Sequence, residues 1–529
     1  MAQAGAVHLA LRGIDAQQPT NTAAPRWVEW ERLRLQLLLQ RGRNDEVLQR
    51  VGLLSLPARP GIHAELHALA AHAGLALGRT AIAREHAGRA LWTPGLDAGA
   101  LRELRLLVIR SQVQEIRADD AYRSMLRFEQ DYRALDAATA TGFVDALLDL
   151  GLAREAVNWL GLLEERGATK LRLRLHTGVV TPQDAITQAR AAVARSDDAH
   201  WWRILLEAAE RQKNGALRIA ALERLLDVKH GSDADIPDAD ANRLWEAYAA
   251  YARDAANTHH LLTGDDANWL EFAVRHRAAE PAVARAYFAY LARHARIAAV
   301  QQDAQIRLAA DYADASLSRT ALRVFGVWPG GAAALMAQTR HTLGTLAGNI
   351  GDHPRALQYR QGLPAPEHMP TSIWQLRLSA LALRAARPNV AADIARVLAA
   401  ERSVIPSIQL PEWIVLAQQL ADHGLHDAAQ ALFERMLPHA DAAQARIVLS
   451  GIARTHEARN QPLPAADFYL RSALRAKAAD AAAAEARLRA GLSLARAGLH
   501  DDARAQFEWL LKNARDPAQI VVARRELGL

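Results

Sequence analysis

Cysteine is absent from the 529 residues, which removes disulfides, thiol nucleophiles and thiolate metal sites from consideration. No run of eighteen apolar residues occurs, so nothing in the chain reads as a membrane-spanning helix, and Met1 to Ala16 lacks the basic stretch and apolar core of a secretory leader. Aromatic residues make up only 5% against 50% apolar in total, so the surplus apolar content is Ala and Leu, both strong helix formers. Strand patterns are nearly missing as well. Leu171-Arg172-Leu173-Arg174-Leu175 alternates, but it is isolated, ends in Thr177-Gly178, and reads as helix.

Motifs that carry common chemistry are also missing. There is no phosphate-cradling Gly-x-x-x-x-Gly-Lys-Ser/Thr loop, no Gly-x-Ser-x-Gly nucleophile elbow and no His-Glu-x-x-His zinc helix, so nucleotide hydrolysis and the familiar hydrolase mechanisms lose their simplest support. His63 and His67 share a helix face at i, i+4, but His72 lies about 140° further round and the intervening Glu65 points elsewhere, which favours a structural or surface role over a metal site. Asp233, Asp235, Asp238 and Asp240 lack the ligand rhythm, central Gly and terminal Glu of a calcium loop, and read as loop solvation and helix capping before Ala241. Glu164-Glu165 and Asp501-Asp502 sit at ordinary helix ends. No catalytic residue, metal ligand or cofactor site is assigned, and the expectation is a protein that is not an enzyme.

Charge is balanced: 64 basic against 58 acidic residues give +6 and a pI near 9.7, too mild at this length to drive nucleic-acid binding without a concentrated patch. Arg102, Arg105 and Arg110, Arg172 and Arg174, and Arg524 and Arg525 form local clusters. The weight falls on solvated helix faces, with an acidic partner or anionic polymer as the minority reading.

What the chain does contain is repetition. Gly424-Leu425-His426-Asp427-Ala428-Ala429 leads to Phe433-Glu434, and Gly498-Leu499-His500-Asp501-Asp502-Ala503 leads to Phe507-Glu508; the copies lie 498 − 424 = 74 residues apart, two units of 37. Glycine, a small polar turn, Ala, then an aromatic four residues later suit a tight helix-turn-helix, in which Gly ends one helix left-handed and Ala lets the next pack close. Fainter copies occur at Gly42-Val47, Gly78-Ala83, Gly151-Ala156, Ala284-Phe288, Ala321-Phe325 and Gly351-Ala356. One hairpin can be drawn in full: Asp266 caps a helix carrying Trp269, Phe272 and Ala273, and Pro281 opens its partner with Ala284, Tyr287, Phe288 and Leu291 on one face.

This pattern resembles the tetratricopeptide repeat (TPR) family. Gly424, Ala429, Phe433 and Met436 fit its second helix, Trp413 falls at its first-helix Trp, and Gly498, Ala503, Phe507 and Leu510 fit again with Gly491 at its small position. The resemblance implies an all-α fold: a right-handed superhelical α-solenoid of antiparallel helix pairs, about a dozen of them, running as one continuous array over 1–529 and most regular over 412–529. Soft breaks are expected near 230–266 and 362–372, where Asp-, Gly- and Pro-rich connections lengthen the loops. Ala6 to Asp15 reads as the second helix of a repeat whose first is missing, so the natural protein is expected to extend beyond this sequence.

The resemblance also implies function: a non-catalytic scaffold gripping partner proteins in a concave groove lined by first helices. Twelve Trp fit that picture in part. Most, including Trp27, Trp30, Trp269 and Trp413, read as seam filling, while Trp201-Trp202 cannot bury both rings on one face. Trp201, Trp202, Trp245 and Trp374, with Arg102 and Arg105, are the candidate groove residues. Arrays of this kind occur in periplasmic parts of exopolysaccharide-secretion machines, so the expected compartment is periplasmic, with cytoplasmic as the alternative. Two competing readings are a glycan-binding or polymer-guiding tunnel for an anionic polysaccharide, and the helical support region of a lytic-transglycosylase-like enzyme lacking its catalytic domain.

Overall fold

The computed structural model describes residues 7–21, 24, 26–53, 60–133, 135–228, 238–475 and 480–529. Every regular element among them is helical, including Ala168–His176, where the Leu171–Leu175 alternation lies. Leu171, Leu173 and Leu175 are all buried there, as are Lys170 and Arg172, which pair with Glu165 and Glu207, and this is how an alternating segment becomes a helix buried on two sides. The chain divides into two compact units, Met1–Asn214 and Gly215–Leu529. That boundary falls upstream of both expected breaks.

One turn, used again and again, builds both units. In the first, Gly42, Gly78, Ile116 and Gly151 each sit at positive φ two residues beyond the end of one helix and two before the start of the next. In the second unit Ser316, Gly351, Ala386, Gly424, Asn460 and Gly498 do the same. At every one of these ten turns the following N–H reaches back to the carbonyl five residues earlier, as in Leu425 to Leu420 and Leu499 to Leu494, with N···O distances of 2.8–3.0 Å. This is the Schellman closure, which satisfies a helix-end carbonyl while reversing the chain. Successive turns in the second unit are 351 − 316 = 35, 386 − 351 = 35, 424 − 386 = 38, 460 − 424 = 36 and 498 − 460 = 38 residues apart.

Side chains repeat the period. Pairs joining one hairpin to the next recur at a separation near 35: Arg102 with Asp136, Arg172 with Glu207, Arg277 with Asp311, Arg446 with Asp480 and Gln519 with Glu485. Between the paired helices run buried seams. Phe128, Phe143, Val144, Leu147 and Trp159 make one in the first unit, and Leu488, Ala503, Phe507 and Leu510 one in the second. Of the repeat-defining residues, Ala429, Phe433, Ala503 and Phe507 are buried, and Gly424 and Gly498 have φ of 77° and 80°.

Early in the second unit the period is broken. Helices Gly215–Asp227, Asp238–Thr258, Pro281–His294, Ala298–Asp314 and Ser318–Gly326 are tied by bonds spanning far more than one repeat. Arg285 pairs with Glu223, Tyr248 bonds Tyr312, the Trp245 indole N–H donates to the Val324 carbonyl, and the Thr320 hydroxyl donates to the Glu223 carbonyl. This departure overlaps the expected break at 230–266; Lys229–Pro237, with Asp233 and Asp235, lies outside the described residues. In the hairpin drawn from sequence, Asp265 caps the first helix rather than Asp266. Asp266 is buried and accepts the N–H groups of Arg296 and Ile297 beyond the partner helix, so it closes the far end of the hairpin. The 362–372 connection is held, since Trp374 donates its indole N–H to the Leu363 carbonyl at 3.2 Å.

Candidate functional site

Open clefts lie along the first helices of the hairpins. In the first unit, Ala98–Gln114 and Ala137–Asp149 flank a cleft of about 580 Å³ with an apolar floor of Leu106, Ile109, Val113 and Phe143 and a rim of Arg102, Glu103, Arg110 and Asp136. A β-carbon on Gly142, part of that lining, would meet nothing within 4 Å, so the cleft reaches the backbone. In the second unit, Leu410–Asp422, Ala442–Ala458 and Ala481–Arg496 contribute to a cleft of about 740 Å³ carrying Asp422, Arg454, Glu457, Glu485 and Arg489.

The two clefts share a register. Arg102 lies five residues past Asp97, the cap of its own helix, and pairs at 2.5 Å with Asp136, the cap of the next first helix. Arg446 lies five past the capping Asp441 and pairs at 2.7 Å with the capping Asp480. The Arg446 guanidinium, with the Ala483 N–H, holds the Asp480 carboxyl down to about 2. Each Arg therefore bonds a helix cap one repeat on and fixes the spacing of adjacent first helices.

A third cleft, of about 490 Å³, lies between Asp238–Thr258 and Pro281–His294 and is lined by Trp245, Glu246, Arg253, Tyr290, Arg293 and His294. The Arg293 guanidinium covers the Trp245 ring, 3.7 Å from its centroid, and Arg253 stands 5.6 Å from that of Tyr290.

The candidate residues from sequence are distributed unevenly. Trp245 lines the third cleft, but its ring is buried and its face covered; Trp374 is buried against His341 with Arg360 above it. Trp201 and Trp202 are both half-buried, and Trp202 donates its indole N–H to Asp197. Arg102 is on the first cleft but bonded to Asp136 and Thr139, and Arg105 is paired with Asp131 at 2.9 Å. Sequence reasoning missed Arg253, Tyr290, Arg293 and His294. Their signal was the one-face spacing of Trp245, Ala249 and Arg253 at i, i+4, i+8 and of Tyr290, Arg293 and His294 at i, i+3, i+4. It also passed over Trp92, 90% exposed at the end of Thr80–Trp92.

The histidine pair gains a third member. His67 is buried, and its ring nitrogens lie 3.0 Å from His63 Nε2 and 2.8 Å from His86 Nδ1 on the next helix. Both its nitrogens are thus engaged, one donating and one accepting. No group of three His, Asp or Glu arranged to hold a metal occurs among the described residues. His426 and His500 are the first residues of second helices.

Among the described residues, recurrent Schellman turns, a period near 36 and clefts along the first helices define an all-helical array of TPR-like hairpins. No family model and no curated protein matches the sequence. Among solved structures, the APC/C hetero-tetramer Cut9–Hcn1 is 12% identical over 99% of this chain and 92% of that one, with a TM-score of 0.24. Yeast Tom70 is 12% identical over 95% of this chain and 96% of its own, also with a TM-score of 0.24. The geometry of this chain, not these likenesses, carries the fold.

Proposed function

We propose that the chain is a binding scaffold that grips partner proteins along its first-helix faces. The supporting observation is the common register of the 580 Å³ and 740 Å³ clefts: Leu106 and Arg110 line the first and Ser450 and Arg454 the second, 106 − 97 = 450 − 441 = 9 and 110 − 97 = 454 − 441 = 13 residues past the capping Asp97 and Asp441. A face with an apolar floor and a charged rim suits a protein surface or peptide, for which the floor supplies affinity and the rim register. The test is photo-crosslinking in the source cell from Glu103 and Arg454, which line the clefts, against Glu508, an exposed second-helix residue that does not. One protein captured from the cleft positions and not from Glu508 supports the reading; equal capture from all three overturns it.

For the compartment we propose the periplasm, and for the assembly an exopolysaccharide-export machine. The first is supported by the cysteine-free sequence and the second by the TPR resemblance. Fractionation of the source cell that recovers the chain with cytoplasmic markers overturns both.

A further inference from the structure

Buried or half-buried arginines in this protein normally face a carboxylate. Arg285 is matched by Glu223 and Asp311, Arg172 by Asp145, Asp149 and Glu207, and Arg50 by Glu31. Arg293 departs from this, as does Arg360 over the Trp374 ring. Arg293 is half-buried, its Nε is shut off from solvent without a partner, and its one hydrogen bond among the described residues reaches the Val327 carbonyl at 3.5 Å. No acid pairs with it among the described residues. Its guanidinium stands against rings instead: 3.7 Å from the Trp245 centroid and 5.7 Å from that of Trp328. Burial without a counter-charge pulls the guanidinium down to about 10. Desolvating a cation is unfavourable, and a ring face offsets only part of it.

The surroundings add cations rather than acids. Arg253 lines the same cleft, is exposed and has no carboxylate partner among the described residues, and His294 is pushed down by burial and by both arginines. Among the described residues Glu246 is the one acid on the lining, beside the guanidiniums of Arg253 and Arg293. The cleft therefore favours an incoming anion.

The rings decide which kind. Binding a sugar by stacking needs an open aromatic face, and here Arg293 covers Trp245 while Tyr290 is stacked on Trp269 at 5.0 Å and approached by Arg253. The rings hold the guanidinium planes in place, leaving their N–H edges for a carboxylate, whose two oxygens match the guanidinium fork.

We propose that the cleft between Asp238–Thr258 and Pro281–His294 docks an acidic segment of a partner protein, with an Asp or Glu carboxylate received by the guanidiniums of Arg253 and Arg293. The proposal rests on the scaffold reading and specifies the ligand chemistry of one of its clefts.

The test uses the full chain and three probes: a fluorescent oligoglutamate peptide, a Gln-for-Glu version of it, and alginate as a uronate polymer. The oligoglutamate binds, the Gln version does not, and R253Q and R293Q each weaken binding about tenfold. Arg253 is exposed, so R253Q reports on the site even where R293Q perturbs packing; Arg504→Gln, on the exposed side of His500–Asn513, leaves binding unchanged. Oligoglutamate binding that survives R253Q/R293Q in a folded protein overturns the proposal, as does alginate binding tighter than the peptide. Capture from Glu103 and Arg454 without oligoglutamate binding sinks this inference and leaves the scaffold reading standing.

Discussion

Phe507 presses its ring against the bare backbone of Gly491: a β-carbon on that glycine would stand 2.7 Å from Cε1 and 3.0 Å from Cζ. Phe433 does the same to Gly451, where the nearest approach would be 2.5 Å from Cζ. Both rings are fully buried at repeat-equivalent positions and cannot swing away. Helix propensity alone says that Gly to Ala in a helix gains about 1 kcal/mol. Here overpacking opposes it at about 1–3 kcal/mol. G491A and G451A are therefore expected to destabilise the second unit, while G88A, inside Thr80–Trp92 with nothing within 4 Å of its β-position, stabilises the first. Urea denaturation of the three variants checks the opposite signs.

Ile116 gives a complementary case. It holds φ of 58° at a turn where Gly42, Gly78 and Gly151 sit at 69° to 78°, and its side chain is 79% exposed. A β-branched residue in the left-handed region costs about 1–2 kcal/mol, and an exposed side chain returns little packing. I116G is expected to stabilise the first unit by about 1 kcal/mol after the entropy that glycine adds to the unfolded chain. G498A, at φ of 80°, is expected to lose a similar amount. An I116G protein no more stable than its parent would show that the turn is not strained.

These turns explain what the sequence made legible. Gly424 and Gly498 were visible because both copies keep glycine, yet the repeat between them was faint: its turn residue is Asn460, at φ of 57°. Ser316, Ala386 and Ile116 hide repeats in the same way. The closure needs a left-handed residue and a backbone bond, which glycine satisfies most cheaply but not uniquely. Gly491 could be read at its small position, whereas Gly451 needed the Phe433 ring to explain it. Departures from the period were less legible, since the Arg285–Glu223 pair spans 62 residues and no local pattern encodes it. The third cleft escaped for a related reason: Trp245 and Arg253 stand on one helix and Tyr290 and Arg293 on another, and only the packing of the two helices brings them together.

Glu223 anchors that irregular region. Its carboxylate accepts from Arg285 at 2.6 and 2.7 Å and from the Tyr248 hydroxyl at 2.6 Å, all buried. E223Q keeps the volume and strands a buried guanidinium with Asp311 alone, an expected loss of about 3 kcal/mol. R277Q removes a partly exposed partner of Asp311 and is expected to cost under about 1 kcal/mol. Amide exchange in Pro281–His294 and Ala298–Asp314 distinguishes them, and equal protection in both variants would count against the buried pair as an anchor.

His67 makes the first unit sensitive to acid. Burial, then the neighbouring His63, His86 and Arg89, pull its imidazole from the usual 6.5 down to about 4. The unfolded chain takes up a proton near 6.5 while the folded one resists until about 4, so the unfolded state binds more protons across that window. The stability that His67 contributes is thus fully present above 6.5 and is lost as the pH falls toward 4. Exchange protection of Pro60–Ala76 and Thr80–Trp92 is expected to drop between about pH 7 and about pH 5, the range in which an unperturbed imidazole charges. H67F removes this ring's proton uptake while leaving His72 and His86, both also held low by burial, in place. The variant is expected to start less protected at neutral pH, having lost the bonds to His63 and His86, but to decline more gently with acid. Parallel pH profiles for parent and H67F would place the acid sensitivity elsewhere.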